Sequence, residues 1–161
     1  MRIASTSSAA VASWIECRSC VEAPPMLRSK NSRMADSIAD GIRSTGVEVD
    51  EIAIQQSNRS QVATELADAG AIVVGSPTLN NNILPSMADV LTYLRGLRPM
   101  NKMGFAFASY GWSGESVAIL NERLNAAKFE VVSDGLKELW NPDKDAIVRC
   151  VQFGADFAGK L

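Results

Sequence analysis

From about residue 34 onward, apolar positions recur along the chain in two alternating periods. Met34, Ile38 and Ile42, with Ala35 and Ala39, fall at spacings of three and four, which marks one apolar helical face. Asp36, Asp40 and Arg43 can point outward from it, and Gly46 supplies a stop. Val47 to Ile54 mostly alternates apolar and polar residues, as an edge strand does. A short helix is expected over Ser60 to Ala69, with Val62 and Leu66 inside. Ala71-Ile72-Val73-Val74-Gly75 is continuously apolar and β-branched, which suits a strand buried on both faces of a parallel sheet. Leu84 to Leu97 reads as a helix with Met87, Val90, Leu91 and Leu94 inward, and Met103 to Ala108 as another buried strand. Val117, Leu120, Leu124 and Ala127 mark a fourth helix. Phe129 to Val132 predicts a last strand, and Asp143 to Leu161 a closing helix with Ile147, Val151 and Phe157 on one face.

Strands alternating with helices imply βαβ units and a right-handed, doubly wound parallel sheet. No second apolar core, linker or internal repeat interrupts the pattern, so one domain is expected over residues 31–161. Residues 1–30 stand apart as an atypical N-terminal segment. It opens rich in serine and alanine, lacks the leucine-rich core of a secretion signal, and contains Pro24-Pro25. Two prolines cannot sit in a central strand. Val11 to Cys17 can supply a first strand, at the cost of a loop of about fourteen residues after it, longer than usual.

Composition narrows the function. The chain has 161 residues, 47% hydrophobic and 21% charged, with a net charge of −2. That suits an ordinary globular domain and disfavours a general nucleic-acid binder, which would be basic. No run of about 18 apolar residues is present, so no membrane span is expected. Histidine is absent, which excludes serine–histidine and cysteine–histidine catalysis and histidine-ligated zinc, iron or haem in this chain. Cys17, Cys20 and Cys150 are too few, and odd in number, for a secreted disulfide scaffold, so a cytoplasmic location is expected. Cys17 and Cys20 form a C-x-x-C pair, but a four-cysteine zinc site would need two more cysteines and only Cys150 remains. Coincidence is the better account of that pair.

In open α/β sheets, ligands bind beyond the carboxyl ends of the strands. Two loops there carry candidate chemistry. Ser76-Pro77-Thr78-Leu79-Asn80-Asn81 offers hydroxyls and amides to a polar heterocycle or phosphate; the plain alternative is a turn leading into a helix. Ser109-Tyr110-Gly111-Trp112-Ser113-Gly114 sets two aromatics among glycines, which let the backbone approach a flat ring while Tyr110 or Trp112 stacks on it. The alternative there is a surface tryptophan capping the sheet.

These two loops, with Ile83-Leu84-Pro85, Gly96-Leu97-Arg98-Pro99, Asn101-Lys102 and Asn121-Glu122-Arg123-Leu124, closely resemble the flavodoxin-like half of flavodiiron proteins, also called A-type flavoproteins. The resemblance runs over roughly residues 34–161, through Trp140 and Cys150. It implies a flavodoxin-like three-layer sandwich with a five-stranded parallel sheet in the order 2-1-3-4-5. It also implies bound FMN and delivery of electrons to a diiron site that reduces oxygen or nitric oxide. Carried over with it as isoalloxazine contacts are Ser76, Pro77, Thr78, Asn80 and Asn81, and Ser109, Tyr110, Gly111, Trp112 and Gly114.

Two departures accompany the resemblance. The family's diiron module is a preceding domain rich in histidines and carboxylates, and this chain has neither its length nor a histidine. The family's phosphate loop, Thr-Met-Trp-x-Ser-Thr, is replaced by a stretch in which Met26 and Ser29 match, Leu27 replaces the aromatic and one residue is inserted. Ser29, Asn31 and Ser32 can still meet a phosphate at the start of the helix near Met34, where the dipole favours an anion. Arg28, Lys30 and Arg33 add positive charge; equally, these residues can be simply solvated.

The leading expectation is therefore an electron carrier with non-covalent FMN, whose partners are a diiron module and a rubredoxin-like or reductase donor. A homodimer is kept open, and neither nucleic acid nor membrane is expected as a partner. The alternatives are a cofactor-free interaction domain of the same fold with a degenerate phosphate loop, and an NADPH-dependent quinone or azo reductase. No additional nucleotide site is visible for the latter. The first alternative predicts a colourless protein that ignores added FMN.

Overall fold

The computed structural model describes residues 11–16, 30–54, 57–139 and 141–161. Its elements run β1 (Val11–Glu16), α1 (Lys30–Arg43), β2 (Glu48–Ala53), α2 (Arg59–Asp68), β3 (Ala71–Gly75) and α3 (Pro85–Leu97). They continue with β4 (Met103–Tyr110), α4 (Ser116–Ala126), β5 (Glu130–Val131), β6 (Leu136–Leu139) and α5 (Lys144–Ala158). The described strands form one parallel sheet in the order β2-β1-β3-β4-β5, and β6 also pairs with β4.

The three layers follow from side-chain alternation. Successive residues of a strand face opposite sides, and β3 and β4 are apolar on both. Ile72, Val74, Ala106 and Ala108 pack into a core with Val62, Leu66, Met87, Leu91, Leu94, Leu120 and Leu124 from α2, α3 and α4. Ala71, Val73, Phe105 and Phe107 face a second core with Met34, Ile38 and Ile42 of α1 and Cys150 and Phe157 of α5. Phe105 stacks on Phe153 with ring centroids 4.4 Å apart.

Three sequence expectations are revised. The expected five-stranded sheet contains an additional segment, because the fifth position is filled in tandem. Glu130 and Val131 pair with Met103 and Gly104, and Leu136–Leu139 pairs with Phe107–Tyr110. The break between them turns at Gly135, whose φ of +94° and closeness to the Ala106 carbonyl leave no room for a side chain. Next, β4 runs two residues beyond Ala108, so Ser109 and Tyr110 close the strand instead of opening the loop.

Finally, the buried stripe of α5 is Ala146, Cys150, Gly154, Phe157 and Ala158; of the expected Ile147, Val151 and Phe157, Phe157 lies on it, whereas Val151 is exposed. Close approach of α1 decides this. A Cβ on Gly154 would stand 2.2 Å from the Ile38 carbonyl oxygen, and one on Gly41 would stand 2.0 Å from that of Val151. Only small residues allow two helices to approach with their backbones nearly in contact.

Candidate functional site

The order β2-β1-β3-β4 puts the switch point between β1 and β3, where connections leave the sheet in opposite directions. The start of α1 and the loops after β3 and β4 converge at this end. The two loops come together, with Thr78 N–H donating to the Ser109 carbonyl at 3.1 Å. Between them lies a cavity of about 390 Å³, lined by Thr78, Asn80 and Asn81 on one wall and Gly111, Trp112 and Ser113 on the other.

The asparagine wall is built by backbone demand. Leu79 and Asn82 exchange both N–H···O=C bonds at 2.9 Å, and the central Asn80 and Asn81 have φ of +50° and +58°. Two consecutive positive φ values are the signature of a type I′ turn, and asparagine is among the few non-glycine residues that adopt them readily. Asn82 finishes the turn by accepting the Ile83 N–H at 2.8 Å. Part of the asparagine run is thus explained by conformation, and the amides of Asn80 and Asn81 remain exposed at the cavity.

The tryptophan wall is dominated by one exposed ring. Trp112 has 88% of its surface open to solvent, although a ring of that size ordinarily seeks cover. At Gly111 nothing stands within 4 Å of where a Cβ would project. Tyr110 is half-buried, and a Cβ on Gly114 would touch both its ring and the Lys137 stem, so that ring lies folded beneath the loop.

Several other candidate residues serve as braces. Ser76 is buried; its hydroxyl donates to the Pro77 carbonyl and accepts the Leu84 N–H, each at 3.0 Å, tying the two ends of the loop together. Pro77 is half-buried beside it. Ser109 is buried, its carbonyl held by Thr78 and its N–H donating to Asn31 Oδ1 at 3.2 Å.

The α1 start completes the set. Asn31 and Ser32 are buried in the first turn, and Ser29 lies outside the described residues, as do Cys17, Cys20, Arg28 and Trp140. Asn31 Nδ2 is buried with no hydrogen-bond partner among the described residues. A buried N–H donor without an acceptor is costly, and no acidic residue occupies that first turn to satisfy the helix end. An anionic oxygen fits there. A flat heterocycle carrying a phosphate therefore fits the whole site, with Trp112 and the asparagine turn for the ring and the α1 start for the anion.

Sequence reasoning left out Ser113, which lines the cavity and donates to Asn81 Oδ1 at 3.3 Å, and Ser116, buried at the start of α4. A loop serine and a serine opening a helix are each too ordinary to signal these roles. Among the described residues no group of three or more cysteine, aspartate or glutamate side chains is placed to hold a metal ion. Cys150 is buried, and desolvation, aided by the negative Glu138, pushes its thiol up to about 12. Among the described residues no helix is long and apolar enough to cross a membrane.

Comparison with known proteins identifies the family. The family model described as Flavodoxin matches residues 30–154. The chain is 42% identical over 130 residues to the nitric oxide reductase of Moorella thermoacetica, covering 80% of this chain and 33% of that protein. The rubredoxin oxygen:oxidoreductase structure from Desulfovibrio gigas superposes with a TM-score of 0.82 at 33% identity, over 93% of this chain and 35% of that one. A flavodoxin from the domain Archaea superposes with a TM-score of 0.79 at 29% identity, over 93% of this chain and 97% of that one. The chain spans about a quarter to a third of the length of the curated relatives it matches.

Proposed function

The chain belongs to the flavodoxin family, and on that premise we propose that it is an electron-transfer module that passes electrons from a rubredoxin-like or reductase donor to a diiron or other redox partner. It is a flavodoxin-like domain homologous to flavodiiron proteins, and the cofactor of such domains is FMN. When bound, FMN supplies reversible electron transfer that amino-acid side chains cannot.

The protein's own residues bind, orient and shield. Trp112 offers an indole face to the ring, and the asparagine turn offers amides to its polar edge. Asn31 and the start of α1, where the helix dipole favours an anion, would hold the phosphate. No acid–base pair or nucleophile is required, which agrees with the absence of histidine. A histidine-ligated metal centre would have to be supplied from outside these 161 residues.

The observation that carries this reading is the cavity between an exposed tryptophan and an asparagine turn, with a buried unpartnered amide at the adjacent helix start. The test is rapid mixing. The FMN-loaded chain, reduced anaerobically, is mixed with the separately produced diiron domain of a flavodiiron protein. Reoxidation in proportion to the acceptor is expected; a rate independent of the diiron domain would overturn the carrier role.

A further inference from the structure

The loop that carries Gly111, Trp112 and Ser113 is fastened at both ends to one residue. At its start, the Ser109 carbonyl accepts the Thr78 N–H at 3.1 Å. At its end, Ser116 opens α4, and its Oγ lies 2.7 Å from Thr78 Oγ1. Ser116 is 0% exposed, so this hydroxyl pair is shielded from competing water on that side. The other link across the cavity, from Ser113 to Asn81, is exposed and longer at 3.3 Å. The buried pair is therefore the firmer of the two side-chain ties between the walls.

We propose that Ser116 is a positioning residue for the cofactor cleft: through Thr78, it fixes the separation of the asparagine and tryptophan walls and the direction in which the Thr78 hydroxyl faces the bound flavin. The inference rests on the reading of the cavity as an FMN site. A threonine hydroxyl has one proton and two lone pairs. With one of these engaged by Ser116, the others remain for a group bound in the cavity that Thr78 lines. Without Ser116 Oγ, the half-buried Thr78 hydroxyl must find another partner by rotating, and the α4 end of the tryptophan loop loses its side-chain anchor. Ser116 itself does not line the cavity, so its influence passes through Thr78.

The test uses the full 161-residue chain and FMN. Affinity is read by quenching of flavin fluorescence, and the visible spectrum and midpoint potential of the bound flavin are recorded for each variant. Ser116→Ala is expected to weaken FMN binding about tenfold, the effect of removing one buried hydrogen bond. It is also expected to shift the bound-flavin spectrum and potential. Thr78→Ser keeps the hydroxyl and is expected to stay within about twofold of wild type. Thr78→Val is expected to weaken binding, and adding Ser116→Ala to it is expected to cost little more, because both changes break the same bond.

Wild-type affinity, spectrum and potential in Ser116→Ala overturn the inference while leaving the cofactor reading intact, and so does full additivity in the double variant. A wild-type chain that does not bind FMN at all overturns the cofactor reading and this inference with it.

Discussion

An indole left 88% open to solvent beside a turn of two left-handed asparagines is the chemistry on which the site depends. Covering that ring with a flat partner removes apolar surface from water and adds stacking, so Trp112→Ala is expected to weaken FMN binding by about 1–3 kcal/mol, read by titration. Tyr110→Ala is expected to cost less, since Tyr110 is half-buried with its ring packed beside Gly114. Cys150 makes a prediction of another kind. Its thiol is raised from an ordinary 9.0 to about 12 in the folded chain. Above pH 9 the unfolded chain gives up that proton and the folded chain keeps it, so the folded state binds more protons and stability falls as pH rises toward 12. Denaturant unfolding across this range is expected to show a steeper decline in wild type than in Cys150→Ala. Native Cys150 is also expected to resist alkylation at about pH 8, where a solvated thiol reacts readily. The asparagine run shows what a residue pattern can and cannot convey: its density pointed to a ligand, yet a type I′ turn accounts for the conformations of two of its members.

At the scale of elements, α1 and α5 pack with their backbones nearly in contact, each helix presenting a glycine to a carbonyl of the other. Gly41→Ala or Gly154→Ala would force these backbones apart. Each is expected to destabilise the fold by about 1–3 kcal/mol in denaturant unfolding, as overpacked cores do. Because α1 also carries Asn31 and Ser32 at its start, FMN binding is expected to weaken together with stability. The closing helix was legible as a helix, but its buried face was not. Ile147 and Val151 attract attention as large apolar residues at helical spacing, whereas the face that packs, which keeps Phe157, is chosen by how near α1 comes. Strand β6 escaped for a related reason. Leu136-Lys137-Glu138-Leu139 has no strand alternation and follows a Ser133-Asp134-Gly135 turn; it is extended because Phe107–Tyr110 of the long β4 pairs with it. The bidentate Arg149–Glu138 pair, at 2.8 and 2.9 Å, then links it to α5.

For the whole molecule, the doubly wound sheet was legible because β3 and β4 are apolar on both faces and each is followed by an amphipathic helix. That pattern admits few topologies. The convergence of the two candidate loops followed from the same alternation, since loops leaving parallel strands emerge at one end. What sequence could not supply was the division of labour inside the loops. Ser76 and Ser109 brace, Thr78 and Trp112 line, and Ser116 anchors, a distinction set by burial that residue type alone does not carry. The most direct test of the account is an absorbance and fluorescence titration of the full chain with FMN, run in parallel with riboflavin. A yellow complex saturating near one FMN per chain is expected, with riboflavin bound much more weakly because it lacks the phosphate that Asn31 and the α1 start would receive. A colourless chain unaffected by added FMN, or equal affinity for the two flavins, would contradict it.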